Sequence, residues 1–136
     1  MAGSAGLVPE SWHPSHEAWG ATQFQTRFGR QAGRFAHDED YQVWMAIRAL
    51  GEAATRTQGG DFAAIHDFVL SDRFDLAAFK GQKLTFRDWD WQLRQPILLA
   101  QPAALVSMSP QPGFLHQRTP LDTLGTDKPE SKCKLK

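Results

Sequence analysis

The chain has 136 residues, 41% of them apolar, and its 15 basic side chains balance 15 acidic ones. That length supports one domain with a core, and zero net charge gives no electrostatic reason to expect nucleic acid or an anionic membrane as partner. The single cysteine, Cys133, excludes an internal disulfide and a cysteine-only zinc site, no apolar run approaches the ~20 residues that span a bilayer, and the start, MAGSAGLVPES, lacks the basic segment and long apolar stretch of a secretory signal.

In chain order, Gly6-Leu7-Val8-Pro9 reads as the tail of a strand or an extended connection. Trp12-His13-Pro14-Ser15 reads as a turn, because Pro14 disfavours helix at His13. Ser15 can cap a first helix over about residues 16–31, with Trp19, Phe24 and Phe28 roughly on one face and Gly20 and Gly29 weakening it. The strongest periodicity follows, over about residues 40–57, DYQVWMAIRALGEAATRT. Val43, Ile47, Leu50 and Ala54 recur at i, i+4, i+7 and i+11 and predict the buried face. Asp38, Glu39 and Asp40 suit the positive end of this helix, and Gln58-Gly59-Gly60 ends it. Asp61 caps a third helix, about residues 62–70, with Phe62, Ile65, Phe68 and Val69 as its apolar face.

From Ser71 the pattern becomes that of strands. Residues 83–87 alternate as a strand with one wet face. Asp88-Trp89-Asp90-Trp91 is a plausible turn, and residues 92–100 form a second strand in which Pro96 marks an edge or a bulge. A turn at Gln101-Pro102-Ala103 leads to a third strand, 104–109. From Pro110 the chain is rich in Pro, Gly, Asp and Lys and is expected to be poorly ordered. The fold expected is thus α/β: three helices, a short antiparallel meander and an irregular tail, with no βαβ unit or parallel sheet of its own.

This order is similar to the last third of type I periplasmic substrate-binding proteins of the branched-chain amino-acid type. FQTRFGRQ resembles the family's phenylalanine-rich helix closing in a basic turn, DYQVWMAIRALGEAATRT its tyrosine-led helix, and GGDFAAIHDFVLS the short helix after it. FKGQKLTFRDWDWQLRQPILLA resembles the segment that closes the sheet. The stretch from Leu70 to Cys133 looks like the subgroup associated with pyrroloquinoline-quinone-dependent (PQQ-dependent) alcohol oxidation. The resemblance runs from about Gly6 over nearly the whole chain. It implies residues 1–109 as a partial periplasmic-binding-protein domain and 110–136 as its tail, so that the chain is a fragment or a truncated gene product whose second helix covers a parallel sheet encoded elsewhere. It also implies a non-enzymatic solute-binding component of an ABC importer, without a cofactor, whose partners are a small molecule and an ABC permease. The full-length relative would be periplasmic, with neither nucleic-acid binding nor direct membrane insertion.

The candidates for ligand or inter-lobe contact are Trp12, His13, Trp89 and Trp91, each near a turn that could approach a crossover between lobes. Trp89 and Trp91 would share a face if their segment were extended, although packing is the stronger reading of both. His13, His16 and Glu17 invite comparison with His-Glu-x-x-His zinc sites. Pro14 interrupts any helix between the two histidines, however, and the glutamate lies outside them. A small metal-dependent hydrolase is therefore the weaker alternative, and a free-standing α+β interaction module the stronger one. The run His37-Asp38-Glu39-Asp40 lacks the ligand spacing and glycine of a calcium loop and reads as helix capping. No Gly-x-Ser-x-Gly elbow is present, and Cys133 reads as an unused thiol or one bridging to a missing segment.

Overall fold

The computed structural model describes residues 6–133 and 135. Three helices, α1 (Ala21–Ala32), α2 (Asp38–Thr57) and α3 (Phe62–Val69), follow a short strand β1 (Val8–Glu10). Five more strands come next: β2 (Leu76–Ala77), β3 (Lys83–Phe86), β4 (Leu93–Arg94), β5 (Ile97–Gln101) and β6 (Ala104–Ser109), and a 3-10 turn spans Pro120–Thr123. The strands form two three-stranded antiparallel sheets, ordered β1-β5-β6 and β2-β3-β4. The architecture is therefore mixed α and β, with antiparallel pairing throughout the described residues.

The position of α2 is set at its N-terminus. The Asp38 carboxylate accepts the backbone N–H of Trp12 at 3.0 Å and that of Ser11, and it also takes the Gln42 amide at 2.6 Å. One carboxylate thereby ties the exit of β1 to the positive end of a 20-residue helix. Asp40 accepts from the His37 N–H at 2.9 Å and pairs with Arg34, whose guanidinium holds the carboxyl down to about 2. This acidic run caps the helix, in keeping with the simpler expectation for it.

The clamp delivers Trp12 onto Tyr41, their rings stacked at 4.6 Å and 17°, with Phe24 edge-on to both. Met45, Ala49 and Ala53 continue the same flank of α2 toward Phe68, Phe74, Leu76 and Leu84, which close the core. The expected phase of α2 is thus corrected. Tyr41, Met45, Ala49 and Ala53 face inward, whereas Val43, Ile47 and Leu50 are 61, 66 and 59% exposed. The two sets lie on nearly opposite sides of a 3.6-residue helix, so tying Tyr41 to Trp12 turns the more aliphatic side outward.

Other boundaries shift for local reasons. α1 begins at Ala21, because Gly20 takes a left-handed conformation (φ 81°) and breaks the path from Ser15, which caps no helix. Trp19, expected on the apolar face of α1, instead lies exposed ahead of it. The 92–100 strand divides at Gln95-Pro96: β4 pairs with β3, while β5 is central in the other sheet, with a register shift between Leu99 and Ala100. α3 keeps its Asp61 cap, with the carboxylate accepting Ala64 N–H at 2.9 Å, but Phe62 is left exposed. The segment after Pro110 is irregular yet anchored, for Leu121 and Asp122 are buried.

Candidate functional site

The four residues singled out from sequence lie in different surroundings. Trp12 is 1% exposed and belongs to the core, its Nε1–H donating to Gln25 Oε1 at 3.0 Å. His13 is also buried, its Nδ1 2.7 Å from Ser15 Oγ. The two border a hollow of about 430 Å³ beside the start of α2, where Glu10, Asp38 and Glu39 make the lining acidic. Asp88, Trp89 and Asp90 form the expected turn. Because this turn ends with Trp91 at φ 59°, the two indoles meet different partners and make no common platform. Trp89 lies over the Arg87 guanidinium at 5.0 Å, and Trp91 meets His66 of α3 edge-on at 5.2 Å.

His13, His16 and Glu17 do not assemble into a ligand set, and no cluster of three or more His, Cys, Asp or Glu among the described residues is placed to hold a metal ion. Instead His16 donates Nε2–H to the Phe79 carbonyl at 2.9 Å. Burial holds its pKa below the ordinary histidine value despite that bond, and nearby Lys80 pushes it further down. The imidazole is a neutral strut between the loop before α1 and the Phe79 backbone.

Asp122 organises the polar end of the molecule. Arg87 and Arg94 each donate Nε–H to its Oδ1, at 2.9 and 2.7 Å, and Arg87 also reaches the Leu124 carbonyl at 2.9 Å. Burial alone would raise the carboxyl, but the two guanidinium bonds outweigh it and hold it below the usual range. This arrangement pins the C-terminal segment across β3 and β4. Beside it lies a polar hollow of about 580 Å³ lined by Trp89, Arg94, His116 and Asp127, among others.

The most chemically distinctive concavity is a groove of about 440 Å³ between α1 and α2. Its floor is aromatic: the Trp44 ring stacks on Phe79 at 5.4 Å and 21° and packs against Phe24 at 4.8 Å. Phe28 extends this floor along α1, 6.2 Å from Phe24. Arg27, Arg30 and Arg48 line its walls, and no carboxylate does. The floor depends on two unusual backbone positions. Phe79 is held at φ 60°, a conformation unfavourable for a bulky residue. Opposite it, a Cβ on Gly20 would lie 2.4 Å from the Phe79 ring, so only glycine admits this approach.

None of the groove residues is among those singled out from sequence for ligand contact. The available signal was the pairing of Phe24 and Phe28 at i, i+4 with Arg27 and Arg30 at i, i+3 in FQTRFGRQ. That pattern gains meaning only once Trp44 and Arg48 of α2 stand across from it. A scan against protein-family models finds no match to the chain, and searches of curated proteins and of solved structures find none either. None of the described helices is long and apolar enough to cross a membrane.

Proposed function

We propose that the chain is the C-terminal part of the solute-binding component of an ABC importer, of the type I periplasmic class. It would serve a small molecule linked to PQQ-dependent alcohol catabolism and have no enzymatic activity. The observation that carries this reading is the bare flank of α2. Val43, Ile47 and Leu50 form a continuous apolar stripe that the described residues leave in water. Fully burying such side chains is worth roughly 1.5–3 kcal/mol each, and a helix with apolar stripes on opposite sides suits a layer packed between two partners. The sequence resemblance supplies the missing partner, a parallel sheet that the second helix would cover. In the complete protein two lobes would close around the solute and then engage the permease, the closed form favoured only by its greater affinity for the ligand.

An antibody raised against this chain, applied to fractions of the producing cell, tests the reading. A periplasmic band far heavier than 15.2 kDa, with in-frame βα-encoding DNA upstream of Met1, is the expected result. A cytoplasmic band at the mass of this chain, with unrelated upstream DNA, would overturn it.

A second reading, a free-standing interaction module, has its own support in the sealed apolar core of Trp12, Tyr41, Phe74 and Leu84. Cooperative melting of the isolated chain, together with that light cytoplasmic band, would favour it.

A further inference from the structure

We propose that the groove between α1 and α2 is a binding site for a planar aromatic polycarboxylate. The site lies wholly within this chain, so the proposal does not rest on the importer reading.

Charge pairing is the first observation. Outside the groove four of the six arginines find carboxylates: Arg34 pairs with Asp40, Arg56 with Glu52 and Asp75, and Arg87 and Arg94 with Asp122, while, among the described residues, Arg73 lies over the Phe68 ring and Arg118 stands alone by the polar hollow. Arg27, Arg30 and Arg48 have no ion-pair partner among the described residues, yet these three line one groove from both of its helices. Arg30, in the last turn of α1, also complements the helix dipole. Arg27 and Arg48 sit in helix interiors and have no such duty. In a chain of zero net charge, three cations lining one groove with no acid among its lining residues make a local positive field.

The floor is the second observation. The half-buried Trp44 and Phe79 present aromatic surface between the arginines, backed by the buried Phe24 4.8 Å from Trp44, and Phe79 is held there in an unfavourable backbone conformation against a glycine that cannot be replaced without a clash. A flat π-system laid on that floor would stack offset, and carboxylates at its edge would meet planar guanidinium forks able to bind them bidentately. The volume of about 440 Å³ falls within the range of small-molecule sites.

Phosphate is the poorer match. Phosphate sites are typically built on backbone N–H groups at helix N-termini, whereas this groove runs along the side of α1 from Gln23 to Gln31 and past the middle of α2. Its cations stand on two facing helices, Arg27 and Arg30 on α1 and Arg48 on α2. Charge spread around the rim of a flat ring fits that layout.

The experiment titrates the full chain, by calorimetry and by 15N-resolved NMR of the tryptophan indoles, with four probes. These are benzene-1,3,5-tricarboxylate, its non-planar analogue cyclohexane-1,3,5-tricarboxylate, adenosine monophosphate and inorganic phosphate. The aromatic acid should bind saturably and at least tenfold more tightly than each of the others, shifting the Trp44 indole resonance, which Trp44→Phe identifies. Arg27→Gln and Arg48→Gln should each weaken it about fivefold without changing the melting temperature, since both side chains are exposed. Equal affinity for the cyclohexane acid or phosphate would reduce the site to charge alone and overturn the proposal. Tighter binding of the nucleotide, no saturable binding, or shifts confined to other indoles would overturn it too.

Discussion

Along α2, the flank of Tyr41, Met45, Ala49 and Ala53 and the flank of Val43, Ile47 and Leu50 are both apolar, yet the described residues bury only the first. By side-chain hydrophobicity alone the second flank has the stronger claim to the interior. The first prevails because of what happens at the helix N-terminus. Asp38 fastens the Trp12 backbone, Trp12 stacks on Tyr41, and the Tyr41 hydroxyl donates to the Ala78 carbonyl at 2.6 Å. Beyond Tyr41 and Met45 the inner flank continues with Ala49 and Ala53, so that flank combines one aromatic anchor and one flexible apolar side chain with small residues. Polar fastening at one end thus fixes the rotation of the whole helix and leaves a large aliphatic stripe without a partner.

The sharpest way to break this arrangement is Trp12→Ala. It removes the largest fully buried side chain of the core and strands the Gln25 carbonyl oxygen that now accepts from the indole. A loss of about 3–5 kcal/mol is expected from the transfer and cavity costs of a buried aromatic, read as a fall in the denaturant midpoint. If α2 owed its rotation to its own hydrophobicity instead, the variant would lose far less.

Sequence periodicity reveals that α2 exists but not which way it faces, since Tyr41, Met45 and Ala49 follow the helical repeat as well as Val43, Ile47 and Leu50 do. What chooses between them is a contact 26 residues away in the chain, Trp12 N–H to Asp38, which no local window contains. Elements with local causes are legible: the Asp61 cap of α3, the Pro102-Ala103 turn and the β6 strand at Ala104–Ser109. Elements with distant causes are not. Asp122 anchors a segment expected to be loose by bonding Arg87, 35 residues earlier. Likewise Trp89 and Trp91 diverge because the turn puts Trp91 at positive φ. The candidate groove was only half visible, because Arg27 and Phe28 acquire Arg48 and Trp44 as neighbours through tertiary packing alone.

The inner flank also carries a pH dependence that the outer one lacks. Lys80 is fully buried, its Nζ donating to the Pro96 carbonyl at 3.0 Å and lying 5.2 Å from the Tyr41 ring centre. Burial lowers its pKa to about 7, against a weaker opposing pull from Asp38, while the unfolded chain keeps the ordinary lysine value of 10.5. Between those values the unfolded state binds a proton that the folded state does not, so stability rises with pH, by up to ~1.4 kcal/mol per unit. The Tyr41 phenol acts in the opposite sense. Burial raises its pKa above the ordinary 10, so its contribution is complete below pH 10 and is lost as the unfolded phenol ionises above it. Chemical denaturation from pH 7 to 9.5 should therefore show a rising slope in the wild type that Lys80→Met abolishes; parallel curves would place Lys80 in water.

Tyr41→Phe tests the inner flank more gently. It keeps the stack on Trp12 but leaves the buried Ala78 carbonyl without its donor, and a loss of about 1–2 kcal/mol is expected. Equilibrium unfolding measures it, and no change would mean that the carbonyl finds another partner.

The smallest effect on this chain should come from the outer flank. Ile47→Asp places a charge where the residue is 66% exposed, so the isolated chain should change by no more than about 0.5 kcal/mol in equilibrium unfolding. The same substitution in a longer protein, where this stripe covers a sheet, would bury an unpaired carboxylate and cost several kcal/mol. The contrast between the two backgrounds therefore measures directly whether the stripe has a partner. A large loss in the isolated chain would show that the chain already uses this flank, and the inner-versus-outer distinction drawn along α2 would fail. A small loss in both backgrounds would leave the stripe in water everywhere and remove the main support for reading this helix as a layer between two partners.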